Sequence, residues 1–380
     1  MHVLTLTPFY PTTYDDAIGC FIAEPLRPLQ EFGVKSSVIA VQPVYQGRRQ
    51  TSSTALPANW TRYLAMPGGL GLSSAGTFLF ASLLFKVRKL HRSQPIDLIH
   101  AHAPLPCGHA AALLSRELGV PFVVTVHGLD AFMTNQVGGC AGQWCKRVSQ
   151  TVYRRARLVV CISDKVREQV VQGAALPVET TVVYNGVDSG MFCPESGPSS
   201  SGVILSVGNL TPIKGHELLL SAFAAIQLFR PDVSLEIIGD GPERSRLGAL
   251  AASLNLGDTV RFLGRQSRTQ VAHAMRRCTF FALPSRYEGL GCVYLEAMSS
   301  GKAVVACRGQ GIEEVIQVGT NGLLVDPGDL PALTGALATL LENLDLRRRM
   351  GDAARQTILR GFTLGHQACH LAELYRGCLA

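Results

Sequence analysis

Residues 280–305, FFALPSRYEGLGCVYLEAMSSGKAVV, restrict the fold more than any other stretch of the chain. Two short apolar runs, 280–283 and 303–306, are separated by a turn at Pro284-Ser285 and a segment of helical length. The pattern reads as strand, loop, short helix, strand. The helix is expected to start at Gly291 or Cys292 and to stop at Gly301, because glycine is favoured just past a helix end. The same alternation recurs along the chain and predicts an open, doubly wound α/β sheet in each half.

This stretch also carries candidate chemistry. The first N–H groups of a helix have no partner within it and bear partial positive charge, so they can hold a phosphate. Here they would come from Gly291, Cys292 and Val293. Glu288 lies before them and Glu296 within the helix. Both acids can accept hydrogen bonds from hydroxyl groups.

In the first half, strands are expected at 2–7, 38–41, 97–101, 122–126, 158–162 and 181–184. Helices are expected at 21–31, 77–92, 108–118 and 144–157. Residues 42–76, rich in proline and glycine, read as loops with a short hairpin. Gly19 at a helix start either lets a ligand approach the backbone or makes a simple turn. The 77–92 helix ends in Lys86, Arg88, Lys89 and Arg92. It reads either as a membrane-surface helix or as an ordinary packed helix whose cations suit its C-terminal end. His127 follows a strand directly, where open α/β sheets place their ligands. His100, His102 and His127 lack the spacing of a known metal motif, which favours hydrogen-bonding roles.

Residues 194–202, PESGPSSSG, form the sharpest shift in composition and are read as a linker. The expected organisation is therefore an N-terminal domain at 1–193, the linker, and a C-terminal domain at 203–362. A last helix at 363–380 would cross back to the first domain. A cleft between two such domains is a natural ligand site.

Length and composition agree with two globular domains. The chain has 380 residues, 17% of them charged and 47% hydrophobic. No apolar run is long enough to cross a bilayer, and the N-terminus lacks a secretory pattern. The eleven cysteines are scattered without Cys-x-x-Cys, which favours reduced thiols in a cytoplasmic protein. Cys140 and Cys145 are the pair best spaced for an exception. The net charge of +7 suits anionic partners without choosing among nucleotides, lipid headgroups and nucleic acid.

Across nearly its whole length the sequence resembles the family 4 glycosyltransferases. The matching elements are Gly19, DLIHAHAPLPCG at 97–108, HGLD at 127–130, YNGVD at 184–188, SVGNLTPIKG at 206–215, IIGDGPE at 237–243 and EGLGCVYLEAMSSGKAVVA at 288–306. The resemblance implies a GT-B fold: two doubly wound Rossmann-like domains facing across a cleft. It implies retaining transfer of a sugar from a nucleotide-diphosphate donor to a hydroxyl of a glycan or lipid-linked acceptor, in cell-surface polysaccharide or glycolipid synthesis. It implies no cofactor and no metal.

It also implies roles. Glu296 would accept from the ribose, Glu288 would contact the donor sugar, Lys214 would sit on the diphosphate, and His127 would lie against the sugar. Gly239 and Gly241 would let the backbone approach the nucleotide, beside the Gly291, Cys292 and Val293 amides and the Gly19 loop. The family often has arginine where this chain has Asn209. The neutral amide cannot replace that charge, which leaves Arg265 or Arg308 to compensate. Leu290 replaces a common aromatic, and Gln310 interrupts a frequent Gly-Gly. The expected partners are the donor, the acceptor and an anionic membrane surface through 77–92, with no nucleic acid. The expected location is cytoplasmic, peripheral on the inner face of the cell membrane.

Two readings from other classes compete. One is a nucleotide-sugar-binding protein without transferase activity, which the neutral Asn209 motivates. The other is a dinucleotide-dependent oxidoreductase, opposed by the lack of Gly-x-Gly-x-x-Gly after the first strand of either half. An epimerase or phosphorylase on the same fold is an alternative within the enzymes.

Overall fold

A computed structural model describes residues 1–67, 71–132, 137–195 and 202–380. The chain divides into two compact units, Met1–Asn185 with Leu364–Ala380, and Gly186–Thr363.

The first unit is built on a seven-stranded sheet. Its strands are β1 (His2–Thr7), β2 (Lys35–Pro43), β3 (Ala58–Tyr63), β4 (Leu98–His102), β5 (Phe122–Val126), β6 (Leu158–Cys161) and β7 (Thr180–Val182). Their order is β3-β2-β1-β4-β5-β6-β7, and every pairing is parallel. β1, β4 and β5 are buried along their full length, as strands covered on both faces must be. The expected hairpin in 42–76 is absent among the described residues: β3 pairs parallel with β2, Val38 opposite Ala58. Its alternating burial marks a half-covered edge strand, whose sequence ANWTRY lacks an apolar run. The helix expected at 21–31 is broken into Cys20–Ala23 and Leu26–Glu31, because Pro25 between them has no N–H to continue the ladder.

The second unit carries six parallel strands: β8 (Val203–Val207), β9 (Ser234–Ile238), β10 (Val260–Gly264), β11 (Phe280–Ala282), β12 (Val304–Cys307) and β13 (Leu323–Val325). The order is β10-β9-β8-β11-β12-β13. In both sheets the order reverses beside the first strand of the unit, which opens a crevice at the strand ends there. Of the expected linker, residues 196–201 lie outside the described residues. The unit division falls ahead of that segment because residues 186–193 are tied into the second unit. Val187 N–H donates to Phe362 O at 2.9 Å, and Ser299 Oγ donates to Phe192 O at 2.6 Å. Arg355 donates to the carbonyls of Ser189 and Phe192. The loop after β12 carries only a short 3-10 turn, Gly311–Glu314.

The last helix, Leu364–Leu379, belongs to the first unit. It buries Ala368, Leu371, Ala372 and Tyr375 in one core with Ala23, Leu26 and Leu29.

Candidate functional site

In the second unit the site grows from two neighbouring strand ends. β8 and β11 are adjacent, so the loops that follow them meet. Gly215 has φ +71, and a Cβ there would stand 2.1 Å from Pro284 O. Arg286 N–H also donates to Ile213 O at 2.8 Å. This close packing sets Lys214 beside Glu288, with Nζ donating to Oε1 at 2.6 Å. Ser285 Oγ donates to the same oxygen at 2.9 Å. The backbone N–H of Glu288 donates to Gln310 Oε1 at 3.0 Å, so the residue that interrupts the expected glycine pair pins this loop. Glu288 is only 7% exposed.

The short helix is Cys292–Ser299, opened by Gly291 at φ +85. A side chain at Gly291 would meet the Tyr294 ring at 2.6 Å, so the turn requires glycine. Glu296 is 4% exposed, and Arg268 Nη1 donates to its Oε1. The Arg268 guanidinium lies 4.8 Å from the centre of the Phe192 ring. Arg268 is itself buried, and sequence reasoning passed over it. Nothing distinguishes it in the chain from the other arginines of RSRLGAL or MRR.

Gly239 and Gly241 turn out to make room for this chain rather than only for a ligand. A Cβ at Gly239, where φ is +139, would lie 1.9 Å from Gly208 O, and one at Gly241 would lie 2.4 Å from Leu210 O. They let the loop after β9 close onto the loop after β8, where Leu210 N–H donates to Asp240 O at 3.0 Å. Asn209 is exposed in that loop, and Arg265 is exposed after β10. Arg308 stands 3.8 Å from Glu313 and 3.7 Å from Asp326, so its charge already faces two carboxylates.

In the first unit, β4 and β5 are neighbours, with His102 opposite Thr125. His127 follows β5. Its backbone N–H donates to Asp130 Oδ1 at 2.9 Å, and its ring stands 4.9 Å from that of Phe21. Its Nε2 lies 3.1 Å from His102 Nδ1. Burial pushes the His127 imidazole down to about 3, with His100 adding to the effect. Burial pushes the Asp130 carboxyl up to about 7, opposed by backbone N–H donors beginning with that of His127. Gly19 has φ +69, and a Cβ there would stand 2.4 Å from Phe9 C, so the turn packs on its own chain and sets Phe21 against His127. Cys140 is exposed and Cys145 buried, and both are free thiols.

Two units, each built on an open parallel sheet, have the architecture of the GT-B fold. The comparisons narrow the class to a family. Residues 26–190 match Glycosyltransferase Family 4, and residues 195–357 match Glycosyl transferases group 1. The chain is 32% identical over 273 residues to an uncharacterized glycosyltransferase of Methanocaldococcus jannaschii, covering 72% of this chain and 73% of that one. Its structure is similar to sucrose-phosphate synthase from Thermosynechococcus elongatus, with a TM-score of 0.83 at 22% identity over 99% of both chains. It is also similar to Anabaena HepE in complex with UDP-glucose, with a TM-score of 0.77 at 22% identity over 99% of this chain and 100% of that one. The chain belongs to the family 4 glycosyltransferases, retaining enzymes of the GT-B fold that transfer a sugar from a nucleotide sugar.

Proposed function

We propose that this glycosyltransferase moves a sugar from a nucleotide-diphosphate donor to a hydroxyl of a glycan or lipid-linked acceptor at an anionic membrane surface on the cytoplasmic side. The observation that carries the donor half is the half-buried Lys214–Glu288 pair beside the helix opened by Gly291. Lys214 leaves Glu288 for the diphosphate when donor binds, and stabilises the charge that develops on the leaving group. The N–H groups at Gly291, Cys292 and Val293 share that load. Glu288, released, accepts from sugar hydroxyls. Glu296, oriented by Arg268, accepts from the ribose, and His127 lies against the sugar. Gly239, Gly241 and Gly19 shape the loops that hold these groups, and Asn209 and Arg265 border the nucleotide. Attack occurs on the face the leaving phosphate departs from, with that phosphate taking the acceptor proton, which accounts for retention without a protein nucleophile or a metal.

HepE carries UDP-glucose in its described complex, so UDP-sugars head the panel that tests this reading. Release of nucleoside diphosphate from UDP-, GDP- and ADP-sugars is measured with and without Glu288→Ala. Release with one donor class, lost in the variant, is the expected result. Thermal stabilisation by a donor with no release under any condition would favour a binding protein instead.

The acceptor half rests on the helix Leu72–Ser93. Phe78 is 47% exposed and Phe85 79% exposed, and helical spacing puts them on one face with Lys89 and Arg92. Leu64 and Met66, just after β3, are exposed as well. Arg88 is taken by Glu117, and Lys86 donates to Thr61 Oγ1 at 3.2 Å, so the outward face is more apolar and less basic than its sequence suggested. Two phenylalanines with flanking cations suit shallow insertion into anionic lipid. No helix among the described residues is long and apolar enough to cross a membrane. In flotation with phosphatidylglycerol vesicles, Phe78→Ser/Phe85→Ser is expected to weaken binding more than tenfold, since each buried phenylalanine contributes about 1.5–3 kcal/mol. Lys89→Ser/Arg92→Ser is expected to weaken it less and to remove its salt dependence. Equal flotation of all three proteins refutes the membrane contact.

A further inference from the structure

β4 ends in His100-Ala101-His102, and strand alternation puts both imidazoles on one side of the sheet. Their ring centres are 4.3 Å apart. His100 is held at both nitrogens, with Nδ1 2.6 Å from Tyr375 Oη and Nε2 2.6 Å from Thr125 Oγ1. His102 in turn holds His127, Nδ1 to Nε2. These side chains line a cavity of about 20 Å³, room for one water. Burial lowers the pKa of all three imidazoles far below neutrality, so each carries one proton at pH 7.

That proton count has a consequence for the contact between His102 and His127. One nitrogen must donate and the other accept. If His102 donates from Nδ1, Nε2 of His127 is bare and its proton stands on Nδ1. If His127 donates from Nε2, its Nδ1 is bare and the proton of His102 stands on Nε2. The two rings are therefore locked to the same tautomer. His127 Nδ1, buried, has no hydrogen-bond partner among the described residues. What it can offer a ligand, a donor or an acceptor, is decided by its neighbour.

We propose that His102 is a positioning residue for sugar transfer, fixing through its Nδ1 which nitrogen of His127 bears the proton, with His100, Tyr375 and Thr125 bracing it from behind. The proposal rests on the reading of His127 as a sugar-facing residue. His102 needs no contact with the substrate for this task. It acts by tying the tautomer of His127 to its own, so that the two rings change state only together.

The test compares wild type with His102→Ala and His102→Asn, the second placing an amide able to donate or accept where Nδ1 stood. Imidazole ¹⁵N spectra, with His127 assigned by its loss in His127→Ala, report the tautomer without donor present. Wild type is expected to show His102 and His127 in the same tautomer. His102→Ala is expected to show a mixture at His127, with kcat lower by about tenfold, the value of one ordinary hydrogen bond, and donor KM within about twofold. His102→Asn is expected to restore a single tautomer and most of the turnover. If His127 keeps its wild-type tautomer in His102→Ala, the proposal fails even where His127→Ala is inactive. If His127→Ala retains full activity, the sugar-facing reading itself fails and takes the functional part of the proposal with it.

Discussion

Lys214→Ala is expected to lower the turnover of sugar transfer by about two to three orders of magnitude, the range seen when one preorganised electrostatic contact to a developing charge is lost. The same change is expected to lower stability, for a separate reason. Glu288 is buried and takes two of its hydrogen bonds through one oxygen, from Lys214 and Ser285. Without the ammonium, its charge keeps only the Ser285 hydroxyl and the loop it sits in. Breaking a buried ion pair from one side costs up to about 3–5 kcal/mol, and the partial exposure of Lys214 puts the figure here at the lower end. The two effects separate in the double variant Lys214→Ala/Glu288→Gln, which carries no uncompensated carboxylate. Its melting temperature is expected to return close to that of wild type while its turnover stays low. A Lys214→Ala protein with turnover within about threefold of wild type would remove Lys214 from the chemistry.

Arg268→Ala is expected to be strongly destabilising to the second unit. Arg268 and Glu296 are 7% and 4% exposed, so neither has water to fall back on. Removing the guanidinium strands a buried carboxylate at a cost of about 3–5 kcal/mol and uncovers the face of Phe192. For a unit of this size that is roughly a 10 °C fall in Tm. Arg268→Lys is expected to recover only part of it, because an ammonium cannot lie flat on the ring. Arg268→Ala/Glu296→Gln is expected to recover most of the stability but not the donor affinity, since the amide offers the ribose one acceptor in place of a carboxylate. Donor KM about tenfold above wild type in this double variant is the signature sought. A Tm shift under about 1 °C in Arg268→Ala would show that Glu296 is solvated and the pair of little consequence.

Both predictions turn on what local sequence reveals and what it hides. The strands were legible because β5 and β11 are short, largely apolar runs, and β1 and β4 carry enough Val, Leu and Ile among their Thr and His to read the same way; all four are buried. β3 was not, because an edge strand needs only alternate residues covered, and ANWTRY shows that pattern too weakly against the prolines and glycines around it. Glu288 and His127 were legible as candidates because they stand in loops that follow strands, Glu296 because its helix follows the glycine-rich bend, and Lys214 through the family resemblance of SVGNLTPIKG. The partner of Glu296 was not: Arg268 reaches it from another helix and is an ordinary residue in its own neighbourhood. Ser285, three residues before Glu288, and His102, already grouped with His127, are nearer to hand. The glycines were legible as necessary but only partly for the right reason. Gly239, Gly241 and Gly215 leave space for backbone carbonyls that only the folded chain brings near.

The return of the last helix to the first unit sets an order of assembly. Larger chains ordinarily fold unit by unit as they leave the ribosome, N-terminal part first. Here the first unit has to wait. Ala368, Leu371, Ala372 and Tyr375, which close its core, are made after the whole second unit. Until then His100 lacks its tyrosine, and a patch of Ala23, Leu26 and Leu29 stands uncovered. The nascent chain therefore carries an unfinished surface until residues 364–379 are made, and only then can the first unit close its core.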